Sequence, residues 1–245
     1  AVLGQVAAAE GYTAGATIAR EDPYGIGLQD AFVADFEGAG GTVTSKLTYD
    51  PASPDFAAEV AEIKAGNPEF VVVIGFDETV KLVQEMIKQG VGPQDVQLFF
   101  VDGNISATAY EEFPADAMKG VIASVPTGDP SVDQEAFQKR LVEQDSKVTD
   151  FAYGAQTFDA VTLVALAAEY AGCADAAAIA AALPQVANAD AGGEACATYA
   201  DCLEIINAGG QPNYEGVSGP LDFNEFGDPK ASTISVVEFN SNTEW

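Results

Sequence analysis

The sequence contains no histidine, and this absence excludes several kinds of chemistry. Catalytic triads built on histidine, zinc sites ligated by imidazole and imidazole acid–base relays all need that side chain. Basic residues are also scarce: 10 lysines and arginines stand against 38 aspartates and glutamates, which gives a formal charge of −28. We therefore expect no nucleic acid and no anionic membrane surface as a partner, since both are bound through basic patches. We interpret the acidity as favouring solubility or as adaptation to salt.

The chain has only three cysteines, Cys173, Cys196 and Cys202. Three thiolates could join a carboxylate at a metal, but no Cys-x-x-Cys pair supports such a site, and we predict neither metal nor cofactor. A disulfide between Cys196 and Cys202 is favoured, closing a loop of about seven residues and contributing roughly 2 kcal/mol. It would indicate an oxidising compartment. Cys173 is then either a buried thiol or paired with a group outside the chain.

Several sequence signals are not seen. The sequence shows no signal peptide and begins at Ala1, so we interpret it as a mature or trimmed chain. The most apolar long segment, residues 155–171, is too short and too polar for a membrane span, and we expect a soluble protein. No phosphate-binding loop or nucleophile elbow motif occurs between a strand and a helix.

The most informative stretch is the unbroken apolar run from Phe70 to Ile74, which is followed by Gly75. A run without alternation predicts a strand that is buried on both faces, as in a parallel sheet covered by helices. Residues 77–89 then predict a helix, with Asp77 as its N-cap. Strand, loop and helix make half of a βαβ unit.

The first 125 residues repeat this alternation. Further strands are predicted at residues 13–20, 42–49, 96–101 and 121–125, with helices between them. Strands that alternate with helices in this way indicate an α/β fold with a doubly wound parallel sheet. Two late strands, residues 219–223 and 233–239, are expected to return to a sheet edge.

The segment after Pro126 has a different character. It predicts successive helices at residues 134–144, 151–171 and 176–183, with no strand before residue 210. The middle helix is apolar around most of its circumference and must be covered on several sides. We infer from this that these helices belong to a domain whose strands lie before Ala1.

Three loops that follow predicted strands carry polar or aromatic residues: Tyr24, then Phe76 with Asp77, then Asp102 with Gly103. The carboxyl ends of parallel strands meet at one edge of a sheet, where ligands bind. A carboxylate with two aromatic faces suits an ammonium group, because the carboxylate pairs the charge and the rings add cation–π contact. The alternative is that Asp102 caps a helix near Ile105 and that the aromatic residues are ordinary surface residues.

The sequence also resembles the periplasmic substrate-binding proteins of branched-chain amino-acid ABC transporters. This resemblance covers essentially the whole chain and rests on five short motifs in the family's order: residues 21–28 (EDPYGIGL), 73–76 (VIGF), 101–103 (VDG), 153–160 (YGAQTFDA) and 216–223 (GVSGPLDF). Members of the family have two lobes joined by three crossovers. The resemblance implies that residues 1–124 and 220–245 form the second lobe, and that residues 125–219 form the helical part of the first lobe, whose N-terminal sheet this sequence lacks.

The resemblance also assigns roles. Asp102 would bind the α-ammonium group of the ligand, and Tyr24 and Phe76 would form walls of the cleft. Some members have tyrosine at the position of Phe76. The groups that bind the α-carboxylate would lie in the absent part, so we expect this chain alone to bind ligand weakly or not at all.

Three functions follow as hypotheses. The first is a monomeric receptor in the periplasm or outside the cell, with or without a lipid anchor, that captures an amino acid and delivers it to a membrane permease. The second is a sensor of amides or similar small molecules on the same fold. The third is an enzyme that uses Asp102 and Asp77 as acid and base, although no spacing in the sequence pairs the two carboxylates. We favour the receptor and predict no enzymatic activity.

Overall fold

The computed structural model describes residues 2–106, 108–149 and 151–245. Its helices and strands are, in chain order, α1 (Val2–Ala9), β1 (Ala14–Arg20), α2 (Pro23–Gly38), β2 (Thr42–Tyr49), α3 (Ala57–Ala65), β3 (Phe70–Ile74), α4 (Thr79–Gln89), β4 (Gln97–Phe100), a 3-10 turn (Asp102–Asn104), β5 (Ile122–Thr127), α5 (Gln134–Gln144), α6 (Gly154–Ala171), α7 (Ala176–Val186), a second 3-10 turn (Ala189–Ala191), β6 (Glu194–Cys196), α8 (Tyr199–Asn207), β7 (Pro212–Gly216), β8 (Gly219–Pro220) and β9 (Thr233–Glu238).

The chain divides into two compact units. Unit 1 comprises Ala1–Val125 and Ile234–Trp245, and unit 2 comprises Pro126–Thr233. Residues 220–233, which the sequence grouped with the end of the chain, therefore belong to unit 2. Side chains explain the difference: Asp222 accepts a hydrogen bond from the backbone N–H of Ala189, and Lys230 pairs with Asp190 at 2.5 Å.

Unit 1 is built on a six-stranded sheet with the order β2-β1-β3-β4-β5-β9. The pairs from β2 through β5 are parallel. Every residue of β3 is buried, as its unbroken apolar run predicts. One core contains Val60, Ile63 and Leu82 from α3 and α4, and a second contains Phe32 and Phe36 from α2. Alternate strand residues point to opposite faces, so helices cover both faces and the sheet is doubly wound, as predicted.

The start of α4 differs from the prediction. The helix begins at Thr79 rather than Asp77, and its N-cap is Glu78, whose side chain makes no capping hydrogen bond. Thr79 instead donates its hydroxyl to the carbonyl of Phe76 at 2.6 Å. The two residues before the helix therefore form a turn at the carboxyl end of β3.

Unit 2 has a small sheet of its own, contrary to the sequence expectation. β6 pairs in parallel with β7, and β7 pairs antiparallel with β8. α8, also not predicted, packs beside this sheet, and its Cys202 is joined to Cys196 of β6 by a disulfide with a Cα–Cα distance of 5.3 Å. The core of the unit is made by Leu166, Val186 and Tyr214 with their neighbours.

Cys173 and part of the helix α6 are exposed at the surface of unit 2. Cys173 is a free, exposed thiol, so the expectation of a buried thiol is wrong, and a partner outside the chain stays a prediction. α6 leaves Val161 66% and Val164 48% exposed. Among the described residues no single helix is both long and apolar enough to cross a bilayer; α6 and α7 meet that test only as a pair, and a bend of 106° separates them.

Candidate functional site at the carboxyl edge of the unit 1 sheet

Three of the residues predicted for the site come into contact. Tyr24 lies in the first turn of α2, and its hydroxyl donates to Oδ1 of Asp102 at 3.0 Å. The ring of Tyr24 stacks on that of Phe76, with centroids 4.8 Å apart and planes 19° from parallel. We call Tyr24, Phe76 and Asp102 the edge cluster. They meet because β1, β3 and β4 are adjacent parallel strands, whose carboxyl ends share one edge.

Two glycines allow this close packing. A Cβ on Gly103 would lie 2.5 Å from the carbonyl oxygen of Gly75 and 2.6 Å from the ring of Phe76. A Cβ on Gly75 would lie 2.0 Å from the hydroxyl oxygen of Tyr49. Gly103, which the sequence placed in the site, therefore supports the site through its lack of a side chain.

Asp77 is also predicted for the site, and the alternative from the sequence is that Asp102 caps a helix near Ile105. Asp77 is exposed and makes none of the edge-cluster contacts seen among the described residues. Asp102 begins a 3-10 turn that ends at Asn104, and the residue that follows, Ile105, has extended backbone. The predicted helix near Ile105 is therefore absent from the described residues, and the carboxylate of Asp102 accepts the hydroxyl of Tyr24.

Sequence reasoning missed Arg20, the last residue of β1. Its Nε lies 2.5 Å from Oδ2 of Asp22 and its Nη1 lies 3.0 Å from Oε1 of Glu78. Its Cζ also lies 4.3 Å from the ring centroid of Phe76, which is a cation–π contact. One signal could have found it: Arg20 is one of only 10 basic residues and stands at the carboxyl end of a predicted strand.

Glu78 and Tyr49 complete the surroundings of the edge cluster. Oε1 of Glu78 accepts hydrogen bonds from the hydroxyl of Tyr49 at 2.9 Å and from the backbone N–H of Phe76 at 3.2 Å. Burial raises the pKa of the Tyr49 phenol, and the negative charge of Glu78 raises it further. Burial opposes the charge of Arg20, but the hydrogen bond to Asp22 and the charge of Glu78 hold the pKa of Arg20 above its usual value.

The balance of charge at this edge is negative. Two carboxylates, Asp22 and Glu78, pair with the guanidinium group of Arg20, and a third, Asp102, contacts Tyr24 at the same edge. Such an arrangement favours a cationic group over an anionic one. Within residues 2–106, 108–149 and 151–245, no group of three or more carboxylate or thiol side chains is placed to hold a metal ion.

The two units and the doubly wound sheet of unit 1 agree with what comparison with known families shows. The family model described as "Periplasmic binding protein" matches residues 1–201. The chain belongs to this family. Members of the family are solute-binding receptors of the periplasm or cell exterior. No curated protein sequence matches the chain.

Solved structures show the same fold. The leucine-binding protein LivK of Thermotoga maritima MSB8 superposes with a TM-score of 0.71 at 19% identity, covering 98% of this chain and 61% of the other. LivJ of Streptococcus pneumoniae in complex with isoleucine gives 0.69 at 17% identity, covering 99% and 61%. A solute-binding protein of Rhodopseudomonas palustris HaA2 in complex with p-hydroxybenzoic acid gives 0.67 at 18% identity, covering 96% and 58%. This chain therefore spans about three fifths of the length of these structures.

Proposed function

We propose that this chain is part of a receptor that captures an amino acid, branched-chain or related, and delivers it to the permease of an ABC transporter. The observation that carries the proposal is the edge cluster: a carboxylate and two stacked aromatic rings held together at the ligand-binding edge of a doubly wound sheet. Asp102 would pair with the ammonium group of the ligand, and Tyr24 and Phe76 would exclude water from that pair.

Electrostatics support an amino acid over an aromatic acid at this edge. The relatives named above include binders of leucine, of isoleucine and of p-hydroxybenzoic acid. Hydroxybenzoate offers no cation, and the surplus of carboxylates around Arg20 would repel its carboxylate. An amino acid can place its ammonium group here and direct its carboxylate elsewhere. Phe76 remains 39% exposed, so its ring offers apolar surface to a ligand.

The division into units supports a two-lobe receptor. We assign unit 1 to one ligand-binding lobe and the helices of unit 2 to the other, in line with the family's architecture. The exposed Val161 and Val164 of α6 are then positions at which a helix of the first lobe would be covered by its sheet. Transport would follow from closure of the two lobes on the ligand, which requires that the ligand bind the closed state more tightly.

A thermal-shift screen tests the proposal. The chain is heated with aliphatic amino acids, uncharged amides and hydroxybenzoate, each well above the weak dissociation constant expected for this chain, because stabilisation grows with ligand concentration over Kd. Because the edge cluster is intact in this chain, the proposal requires weak rather than absent binding. We therefore expect an upward shift with an aliphatic amino acid that is lost in Asp102→Asn.

Asp77→Asn is the matched control, since Asp77 follows the neighbouring strand but is exposed and outside the edge cluster. The shift should survive this substitution. A shift that occurs only with uncharged amides and persists in Asp102→Asn would contradict the proposal and favour a sensor of amides on the same fold.

A further inference from the structure

Arg20 connects the two loops that carry the aromatic residues of the site. On one side it pairs with Asp22, whose Oδ1 accepts the backbone N–H of Gly25 at 2.8 Å and so caps α2, the helix that presents Tyr24. On the other side it pairs with Glu78, which accepts the backbone N–H of Phe76. The one guanidinium group therefore bridges the carboxylates that fix both loops.

The bridge that Arg20 forms between Asp22 and Glu78 is rigid enough to fix the relative positions of the two loops. The side chains of Arg20 and Glu78 are only 17% and 15% exposed, so solvent competes weakly for their hydrogen bonds. Arginine presents its N–H donors in a fixed plane, and two carboxylates that bind different edges of this plane cannot move independently. Glu78 is itself held by the hydroxyl of Tyr49 at the end of β2. Three strand ends are thus joined around Phe76.

Arg20 also limits the ability of the Phe76 ring to bind another cation. Its Cζ already lies 4.3 Å from the centre of that ring, so the ring's attraction for cations is used within the protein. A second cation brought to this ring would be repelled by Arg20. Asp102, at the other end of the edge cluster, carries the opposite charge and contacts Tyr24.

We infer that Arg20 is a positioning residue of the site: it holds Phe76 against Tyr24 and leaves the ammonium group of the ligand to Asp102 rather than to the ring of Phe76. The first half, that Arg20 holds Phe76 against Tyr24, concerns the protein without ligand. The second half, that Asp102 and not the ring of Phe76 binds the ammonium group, rests on the proposed function.

Fluorine NMR tests the first half without any ligand. The chain is prepared with 4-fluorophenylalanine at position 76, and its resonance is compared with that of Arg20→Met, which keeps the aliphatic length but removes the charge. We expect the resonance to shift and broaden, because the ring loses both its cation and its support. Arg20→Lys, which restores a charge without the planar fork, should restore the resonance in part.

Arg140→Met is the matched control. Arg140 is the other arginine of the chain and lies 5.6 Å from the ring centroid of Phe158 in unit 2. It should leave the resonance at position 76 unchanged. If Arg20→Met prevents folding, Glu78→Gln provides the same test, since it weakens one arm of the bridge; a smaller shift in the same direction is expected. An unchanged resonance in the folded Arg20 or Glu78 variant would overturn the inference.

Ligand-observed NMR with L-leucine as the probe tests the second half. Arg20→Met should weaken binding roughly 3- to 30-fold, the range that corresponds to losing one partly desolvated cation–π contact and its support. Stronger leucine binding in this variant would overturn the assignment of the ammonium group, because the freed ring would then be attracting it. Absence of leucine binding in the unmodified chain would contradict the proposed function, whereas the fluorine comparison would still decide whether Arg20 positions Phe76.

Discussion

The carboxylates Asp159 in unit 2 and Asp102 in unit 1 show how one chemical group is used in two ways. Asp159 is 1% exposed and accepts four hydrogen bonds, from the hydroxyl of Tyr214 at 2.8 Å, the backbone N–H of Val217 at 3.0 Å, and both the backbone N–H and the hydroxyl of Ser218 at 2.6 and 2.5 Å. Asp102 is half-buried at a sheet edge and accepts the hydroxyl of Tyr24.

We propose that this difference separates a structural carboxylate, Asp159, from a ligand-binding one, Asp102. Two oxygens of a carboxylate have about four acceptor sites, so the four bonds of Asp159 saturate it. Burial of such a group stabilises a fold only while all its partners are present. Asp102 lies at the edge where ligands of doubly wound sheets bind, beside aromatic surface that remains exposed. The comparison predicts that substitution of Asp159 lowers stability, whereas substitution of Asp102 lowers ligand binding and leaves stability nearly unchanged.

The largest effect is expected at Asp159. Asp159→Ala should lower the free energy of unfolding by about 3 kcal/mol or more, because Tyr214 and the backbone donors lose a buried acceptor. Asp102→Ala should change it by less than about 1 kcal/mol. Urea unfolding of both variants checks this, and an equal loss at the two positions would end the distinction between them.

The disulfide of unit 2 should have the next largest effect. Cys196→Ser removes a link between β6 and α8 and should cost about 2 kcal/mol, since the loop it closes is short. Cys173→Ser, at an exposed free thiol, should change stability by less than about 0.5 kcal/mol. Equal denaturation midpoints for the oxidised and the reduced protein would show that unit 2 does not depend on this bond.

A smaller, pH-dependent effect is expected at Asp22 in unit 1. The hydrogen bond from the backbone N–H of Gly25 lowers the pKa of Asp22, and Arg20 lowers it further. A depressed pKa means that this group stabilises the fold above its unfolded pKa of about 4 and that the stabilisation is lost as the pH falls through the folded value.

The matched variant is Asp22→Asn, which keeps a side-chain acceptor for the N-cap but not the charge. The melting temperature of the unmodified chain should exceed that of the variant at pH 7, and the gap should close on acidification below about pH 4. A gap that stays constant over this range would show that the charge of Asp22 contributes nothing.

Part of this architecture could be predicted from the sequence. The unbroken run of β3 and the apolar spacing of the unit 1 helices are local patterns, and they predict the doubly wound sheet and hence the edge where Tyr24, Phe76 and Asp102 meet. The bridge of Arg20 could not be predicted from local pattern, because it joins Arg20 to Glu78, which is 58 residues away.

The missed elements of unit 2 have a similar cause. β6 has only three residues, Glu194–Cys196, of which two are exposed, so it carries no apolar run or alternation that would indicate a strand. Its pairing with β7 is a tertiary contact, and the disulfide to α8 adds to it. The helix α8 begins at Tyr199, and the hydroxyl of its N-cap residue Thr198 accepts the backbone N–H of Asp201. The sequence carries this capping signal as Thr198 three residues before Asp201. The helix has no buried apolar face that would reinforce the signal, because Cys202 is its one buried residue.

The measurement that tests the central claim most directly is saturation-transfer NMR of L-leucine and of 4-methylpentanoate, which lacks only the amino group, against the unmodified chain and Asp102→Asn. This method detects the weak binding expected of a chain that spans about three fifths of its structural relatives. We predict that the unmodified chain prefers leucine and that Asp102→Asn abolishes the preference. Equal signals from the two ligands with the unmodified chain, or a preference that survives in Asp102→Asn, would contradict the account.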